Sequence, residues 1–190
     1  MHDIKIIDNI LDENFVDYIE KSFHDDLIDW YFNRGTVVPG KDENILENTN
    51  TKELSQFTHM LLGNNGEVSK FRFLGDEVLD NFTKVFPLEY KSVLRMKANL
   101  AVPMPHNLTN DKFHNTPHID HDVKHLVMIY YVNDSDGDTI IFDKNNTDKI
   151  LEKVTPKKGR FVIFNGDNYH AGRQPKNFET RVIINYNLEI

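Results

Sequence analysis

The sequence predicts an α+β domain built on a β-sandwich or barrel, and three observations support this prediction. Apolar residues recur at helical spacing in two segments of the N-terminal half. From residue 92 onward the apolar runs are short enough to be strands, and turn-forming residues separate them. A chain of 190 residues is also long enough to enclose one full hydrophobic core, so we expect residues 1–190 to form a single domain.

The composition narrows the classes of protein to which this chain can belong. Hydrophobic residues make up 39% and charged residues 27% of the chain, which is ordinary for a globular protein. The net charge of −8 disfavours a nucleic-acid partner, because an acidic surface repels phosphate groups. No apolar run approaches the roughly 18 residues of a membrane span, and the start MHDIKIIDNI does not read as a signal peptide, so we expect a cytoplasmic protein. The lack of cysteine excludes disulfides, thiolate catalysis and cysteine-ligated metal sites.

The N-terminal half is predicted to contain two helices with short strands before and between them. The apolar run 4–7 is typical of an edge strand, and Asp12 is a suitable N-cap for a helix that continues to residue 26. Residues 27–32 are interpreted as a strand, and the polar residues 33–52 as a loop. Six apolar residues at intervals of three or four predict a second helix over residues 66–86.

The C-terminal half is predicted to be almost entirely β-structure. Strands are predicted at residues 92–102, 124–133, 138–142, 150–154, 160–164 and 180–188. Turn residues lie between them at 133–137, 145–146 and 156–159. This succession of short strands is the part of the pattern that favours a sandwich or barrel.

A His-x-Asp triplet occurs twice, at His24–Asp26 and at His118–Asp120. With nine histidines and many aspartates, one such triplet is expected by chance, so the triplet alone does not establish a metal site. The first copy ends a predicted helix, where side chains at i and i+2 point about 160° apart and cannot share an ion. We therefore interpret His24 and Asp26 as solvated residues at a helix end.

The second copy lies in a different context, just after Pro117 and just before an apolar strand. If the backbone is extended there, His118 and Asp120 face the same side. One imidazole and one carboxylate are two-thirds of a 2-His-1-carboxylate triad, which holds Fe(II) and leaves coordination positions open. His170 follows another apolar strand 52 residues later and is the candidate for the second histidine.

Arg181 is the candidate partner for a dicarboxylate cosubstrate. It opens the last predicted strand, eleven residues beyond His170. A guanidinium is always charged and presents a planar fork that matches a carboxylate. Arg173 is the competing candidate, but we expect it to lie too close to His170 in sequence to reach the far end of a bound dicarboxylate.

The order of five motifs resembles the Fe(II)/2-oxoglutarate-dependent dioxygenases, and most closely their prolyl-4-hydroxylase-type branch. In chain order the motifs are PHxD at 117–120, IYYVN at 129–133, DGDT at 136–139, PxxGRFVIF at 156–164, and HxG at 170–172 followed by an Arg-Val-Ile strand at 181–183. The resemblance covers about residues 94–187. It implies a double-stranded β-helix, or jelly roll, with N-terminal helices packed on one sheet and iron near the open end.

The resemblance also implies roles for individual residues. It implies that His118, Asp120 and His170 are the catalytic iron ligands. The presence of Asp120 argues against a halogenase, because those enzymes lack the carboxylate and so make room for halide.

Four residues are implied to bind 2-oxoglutarate. Arg181 corresponds to the salt-bridge partner of its distal carboxylate, and Tyr131 to a tyrosine that donates to the same carboxylate. Thr139 matches a position that lines the cosubstrate pocket, although Asp136 replaces the first glycine of the usual pattern. Asn99, on the strand 92–102, corresponds to a polar residue that several branches place in the pocket.

The implied activity is hydroxylation of a substrate C–H bond, coupled to decarboxylation of 2-oxoglutarate to succinate and CO₂. The implied cofactors are Fe(II), 2-oxoglutarate and O₂, with ascorbate as a further candidate. Segments 33–52 and 103–117 are polar and would flank the iron-side opening, which favours a polar small molecule or a peptide as substrate. A prolyl side chain is included by analogy only.

Two other classes of function stay open at this point. A cupin-like metal- or sugar-binding jelly roll would share the fold, but it usually has a His-x-His pair and does not need Arg181. A catalytically silent binding module would fail to bind iron or 2-oxoglutarate. The sequence does not indicate an oligomeric state.

Several titratable or aromatic residues near the predicted site have simpler interpretations. On a strand, His121 would face away from His118, and Asp122 would share the face of Asp120 as a neighbour rather than a ligand. We expect His114 to be a solvated loop residue or a contact of a lid. Tyr130 should face away from Tyr131, into the core.

Overall fold

The computed structural model describes residues 4–25, 28–37, 48–104 and 112–190, which form two antiparallel sheets and two helices. The elements are β1 (Lys5–Ile7), α1 (Glu13–His24), β2 (Tyr31–Asn33), β3 (Gln56–Leu62), α2 (Arg72–Val85), β4 (Ser92–Ala101), β5 (His125–Tyr131), β6 (Thr139–Asp143), β7 (Asn146–Val154), β8 (Phe161–Asn165), β9 (His170–Gly172) and β10 (Arg181–Glu189). Neither helix in these residues is long and apolar enough to cross a membrane.

The two sheets have the strand orders β1-β8-β5-β10-β4-β3-β2 and β7-β6-β9. Every neighbouring pair of strands is antiparallel. A further bridge joins the backbones of His118 and His170, next to β9. This arrangement is a jelly roll with helices on one sheet, so the predicted α+β fold class is confirmed.

The alternation of side chains along the strands divides the core into two layers. On one face of the large sheet, residues such as Met128 and Ile184 pack with Phe23 of α1 and Phe82 of α2. The opposite face points toward the small sheet, and its apolar part forms a second cluster. That cluster consists of Val127, Ile129, Tyr131, Ile141, Val154, Val162, Phe164 and Ile183. Side chains at alternate positions of β4, β5 and β10 therefore enter the space between the sheets.

The first helix begins as predicted, whereas the second begins later. The Asp12 carboxylate accepts a hydrogen bond from the backbone N–H of Phe15, as an N-cap does. Residues 66–70 were predicted to be helical, but they are tied back to β3: Ser69 donates its N–H to the carbonyl of Leu61. Gly66, with φ of 80°, makes the turn that this return requires.

The least accurate predictions concern residues 27–62. The strand predicted at residues 27–32 is confined to β2, and β3 was not predicted at all. A register shift between Met60 and Leu62 breaks the alternation of β3, which removes the pattern by which a strand is recognised. Residues 38–47 of the predicted loop 33–52, and residues 105–111 of the segment 103–117, lie outside the described residues.

Candidate active site

Three side chains predicted as metal ligands converge between the two sheets. One donor atom from each of His118, Asp120 and His170 lies within 4.8 Å of the others. The Nε2 atom of His118 is 3.6 Å from Oδ1 of Asp120, and Nε2 of His170 is 3.4 Å from Oδ2. Ligands at right angles around an ion at 2.0–2.2 Å are on the order of 3 Å apart. The three groups thus need only a small closing movement to share one metal ion.

Backbone pairing brings the two histidines together across 52 residues of sequence. His118 donates its N–H to the carbonyl of His170 at 3.1 Å, and His170 donates in return at 3.0 Å. The position of β9 is fixed in turn by its pairing with β6, where His170 faces Ile141. The other His-x-Asp triplet is different, because His24 hydrogen-bonds Thr180 and the carbonyl of Glu20, while Asp26 lies outside the described residues.

The hydrogen bonding of one histidine and the burial of the other suit metal binding. The Nδ1 atom of His118 lies 3.0 Å from the carbonyl of Thr116, which can only accept, so in the neutral ring Nδ1 carries the proton and the lone pair is on Nε2. Burial lowers the pKa of His170, although the Asp120 carboxylate opposes this effect. A neutral imidazole is the form that binds a metal.

Asp120 is held as a charged carboxylate by basic and amide groups. Burial alone would raise the pKa of Asp120, but Arg95 and His170 hold it well below its usual range. The guanidinium of Arg95 contacts Oδ1, while Asn185 and Asn187 donate to Oδ2 at 2.8 and 3.0 Å. These contacts fix the orientation of the carboxylate, as partners of metal ligands commonly do.

Arg181 lies at a second polar centre, together with two of the other predicted residues. Its side chain is buried, with Nε donating to the carbonyl of Gly137 at 2.5 Å and Nη2 donating to Oγ1 of Thr139 at 2.7 Å. The hydroxyl of Tyr131 donates to the same Oγ1 at 2.8 Å. Arg181, Tyr131 and Thr139 thus form one connected group whose charged member is a guanidinium.

One cavity connects the two predicted histidine ligands to this group. It is lined by His118 and His170 and also by Thr139 and Arg181. Asn99 also lines it, and its Oδ1 atom is buried with no hydrogen-bond partner in the described part of the chain. A facial ligand set leaves positions open toward such a cavity, so the residues present fit Fe(II) together with a dicarboxylate that spans from the ion to a buried arginine.

Arg173 lies closer to the cosubstrate end than its sequence position suggested. It lines the same cavity as Arg181, and its Nη1 atom is 3.6 Å from Oδ2 of Asp138. Arg173 was predicted to lie too close to His170 in sequence to reach this region. That prediction is wrong, because Arg173 lines the cavity. Its carboxylate partner within the protein still distinguishes it from Arg181, whose charged nitrogens contact only neutral oxygens among the hydrogen bonds described here.

The neighbouring residues mostly lie where they were predicted. His121 is half-buried and Asp122 is exposed, and neither belongs to the ligand group. Tyr130 is buried in the layer next to the helices, as expected. His114 was expected to be a solvated loop residue or a contact of a lid. It is not solvated, since it is 4% exposed, hydrogen-bonds the carbonyl of Asn115 and pairs with Thr51 in a parallel bridge.

Three residues that hold Asp120 were missed by sequence reasoning. They are Arg95, Asn185 and Asn187. The sequence pattern does indicate the two asparagines. They lie on the same face of the last strand as Arg181, and apolar residues occupy the alternate positions. Arg95 likewise shares a face with Asn99 on β4. Polar side chains on the inner face of an apolar strand mark a site even when their partner is unknown.

Comparisons with known proteins agree with this geometry. Residues 104–189 match a family model described as the 2OG-Fe(II) oxygenase superfamily, and a search of curated protein sequences finds no match. A Pseudomonas putida prolyl-4-hydroxylase has a TM-score of 0.56 at 13% identity, covering 100% of this chain and 94% of that one. A Trichoplax adhaerens prolyl hydroxylase, solved with a hypoxia-inducible-factor peptide fragment, has a TM-score of 0.55 at 13% identity, with coverages of 98% and 83%.

A third structure is an oxidoreductase of the 2OG-Fe(II) oxygenase family from Burkholderia pseudomallei. Its TM-score is 0.59 at 9% identity, and the match covers 98% of this chain and 84% of that one. At such low identity the structural likeness shows a shared fold. The match to the family model adds sequence information, and it includes every predicted site residue except Asn99.

Proposed function

We propose a hydroxylase function for this chain, which is an Fe(II)- and 2-oxoglutarate-dependent dioxygenase of the 2OG-Fe(II) oxygenase superfamily. It hydroxylates a C–H bond of a polar small molecule or a peptide residue. Succinate and CO₂ would be the products from the cosubstrate. The observation that carries this proposal is a cavity lined by His118, His170 and the buried Arg181, with Asp120 beside the two histidines. We further propose that residues 1–190 act as one domain, because both helices pack on the sheet that carries the site.

In this proposal, His118, Asp120 and His170 hold the iron. The two imidazoles offer Nε2 lone pairs, and the carboxylate offsets part of the charge of the ion. Bound Fe(II) and 2-oxoglutarate supply the oxidising chemistry with O₂. The protein keeps the ligands in place through the pairing of His118 with His170 and through the side chains that hold Asp120.

The group at the other end of the cavity would bind and orient 2-oxoglutarate. Arg181 would pair with the distal carboxylate, and Thr139 would add a hydroxyl donor. The Tyr131 hydroxyl, which donates to Thr139, would fix which way the threonine hydroxyl points. The apolar side chains of Ile129 and Ile183 line the same cavity and would limit the access of water.

The test of this function measures binding and turnover separately. The purified chain is mixed with Fe(II) and 2-oxoglutarate without oxygen, and the weak visible absorption band of the iron–2-oxoglutarate complex is recorded. Air is then admitted and succinate release is measured with amino acids and peptides, since a peptide accompanies one of the structural neighbours. A band together with succinate release supports the dioxygenase. The absence of both would instead favour a jelly-roll binding module.

Replacing Tyr131 by phenylalanine should raise the KM for 2-oxoglutarate by roughly 3- to 10-fold, the effect of losing one hydrogen bond. Without that hydroxyl, Thr139 loses the donor that sets its orientation beside Arg181. Tyr130→Phe is the matched control, because its hydroxyl lies in the helix-facing layer and has no hydrogen-bond partner among the described residues. Equal effects of the two substitutions on KM would contradict a role for Tyr131 in cosubstrate binding.

A further inference from the structure

We infer that Glu53 is a positioning residue of this site, because its carboxylate joins the cavity wall at Thr36 to the segment that holds the predicted ligand His118. Glu53 would act within the proposed function, on which this inference rests, and it would do so without touching the metal ion or the cosubstrate. Three hydrogen bonds to one carboxylate, and the places of their donors around the cavity, point to this role.

The Glu53 carboxylate accepts hydrogen bonds from two segments that are far apart in sequence. Its Oε1 atom accepts from the backbone N–H of Thr36 and from the hydroxyl of the same residue, the latter at 2.7 Å. Its Oε2 atom accepts from the backbone N–H of Thr116 at 2.8 Å. Hydrogen bonds to an ionised acceptor are about twice as strong as those between neutral groups. The carboxylate therefore fixes the two segments relative to each other.

Thr116 leads directly to a predicted metal ligand. It is buried, so water cannot readily replace the carboxylate as the acceptor of its N–H group. The carbonyl of Thr116 pairs with Nδ1 of His118 at 3.0 Å. The partner of the second ring nitrogen sets the tautomer and the orientation of a histidine that binds a metal. Glu53 thus acts on His118 through one residue, by fixing the backbone against which the imidazole is held.

The backbone of Glu53 is itself attached to the segment that precedes His118. The N–H group of the residue before Glu53 donates to the carbonyl of His114 at 2.8 Å. The N–H group of the residue after it donates to Oδ1 of Asn115 at 3.0 Å. The side chain of Glu53 therefore connects Thr36 to a segment that is already held beside the metal ligands.

Thr36 belongs to the wall of the cavity that His118 also lines. The residue before it, Gly35, leaves the space that the Glu53 side chain occupies. A Cβ atom at position 35 would lie 2.8 Å from Oε1 and 2.9 Å from Cγ of Glu53, which is too close for atoms that are not bonded. A side chain at position 35 would thus displace the carboxylate without removing it.

The first measurement uses Glu53→Ala without metal. This change removes the acceptor of the Thr116 N–H group, so we expect the Thr116 amide to exchange with deuterium at least about tenfold faster than in the unchanged chain. Glu53→Gln should give an intermediate rate. A glutamine side chain keeps one acceptor oxygen, but it presents a donor in place of the other.

The second measurement is an Fe(II) titration of the same chains without oxygen. Removing a group that supports a metal ligand costs 10- to 100-fold in affinity, and Glu53 acts through Thr116, so we expect a loss of about tenfold in Glu53→Ala. At saturating Fe(II), the KM for 2-oxoglutarate should stay within about twofold, because other hydrogen bonds hold the group around Arg181. A loss of iron affinity without a change in this KM separates positioning of His118 from a general loosening of the site.

Asp12→Ala is the matched control for stability. It also removes a carboxylate that accepts a backbone N–H, that of Phe15, but it does so on α1, which packs against the other face of the large sheet. We expect Asp12→Ala to lower the melting temperature, as the loss of an N-cap does, and to keep the Fe(II) affinity within about twofold.

Gly35→Ala tests the same contact without removing the carboxylate. It should weaken Fe(II) binding less than Glu53→Ala does. Combined with Glu53→Ala it should add no further loss, because the carboxylate that it displaces is then absent. An effect of Gly35→Ala that adds in full to that of Glu53→Ala would contradict a shared route to His118.

Two other results would overturn the inference. One is a Thr116 amide or an Fe(II) affinity that Glu53→Ala leaves unchanged. The other is an equal loss of iron affinity in Asp12→Ala, which would mean that lower stability alone explains the effect. A missing visible band in the unchanged chain with Fe(II) and 2-oxoglutarate would contradict the proposed function instead. Thr116 exchange is measured without iron, so the two failures can be distinguished.

Discussion

Replacing His170 by alanine is expected to abolish Fe(II) binding and turnover together. His170 is buried and supplies one of the two imidazoles that face Asp120. Loss of a group that only supports a metal ligand costs 10- to 100-fold in metal affinity or activity, so the loss of a ligand should cost at least about 100-fold. The measurements are an Fe(II) titration without oxygen, followed by the visible band with 2-oxoglutarate, and succinate release in air.

The control for His170→Ala is His121→Ala. His121 lies one residue from Asp120 in sequence, yet its side chain does not belong to the ligand group. We expect His121→Ala to keep iron binding within about twofold of the unchanged chain, because the hydrogen bond that its ring accepts comes from the N–H of Val123 and involves no predicted ligand. The bridge between His118 and His170 uses backbone atoms, so alanine at position 170 can preserve it. Full turnover by His170→Ala, or an equal loss of iron in both variants, would show that the ligands are assigned wrongly.

The ligand geometry was largely predictable because its determinants are local. In extended backbone, residues two apart face the same side, which predicts that His118 and Asp120 act together. His170 was predicted to follow one apolar strand and Arg181 to begin the next, so both were expected at strand ends that a jelly roll brings to its opening. These inferences need the type of local structure and the order of the motifs, but not the pairing of distant strands.

The environment of Asp120 was not predictable for the opposite reason. The alternation of a strand shows that Asn185 and Asn187 share a face, but it does not show which residues of the neighbouring strand lie opposite them. The register of the two strands decides this, and it pairs Asn187 with Arg95 across a separation of 92 residues. Sequence spacing contains no information on such a pairing, so the basic group beside the ligand emerged only from the fold.

The loop between β9 and β10 shows how a local departure from a motif can be compensated nearby. Asp136 replaces the first glycine of the expected pattern. Its carboxylate accepts hydrogen bonds from the backbone N–H groups of Lys176 and Asn177, at 2.8 and 3.0 Å, and from the side chain of Asn177. These bonds hold the loop that follows β9, and so help to set where β10 begins. The substitution at position 136 thus supports the placement of Arg181 at the end of the eleven-residue interval from His170.

Replacing Arg181 by alanine should raise the KM for 2-oxoglutarate at least about 100-fold while Fe(II) binding is retained. A buried, charge-assisted pair with a carboxylate is about twice as strong as a neutral hydrogen bond, and it is lost completely. The change also removes the arginine donor to the carbonyl of Gly137 and one of the two donors to the hydroxyl of Thr139, which keeps its hydrogen bond from Tyr131. Arg181→Lys should give an intermediate KM, raised about tenfold, because lysine restores a charge but not the planar fork. Succinate formation against 2-oxoglutarate concentration measures both effects.

Arg173→Ala is the comparison that makes the assignment of Arg181 specific. Both arginines line the cavity, but Arg173 has Asp138 near its charged end, whereas Arg181 contacts a carbonyl and a hydroxyl. A guanidinium that already faces a carboxylate gains less from a second one, so Arg173→Ala should raise the KM for 2-oxoglutarate less than Arg181→Ala does. If the order of the two effects were reversed, Arg173 would be the partner of the distal carboxylate. A loss of Fe(II) binding in Arg181→Ala would mean that the two ends of the cavity are not independent.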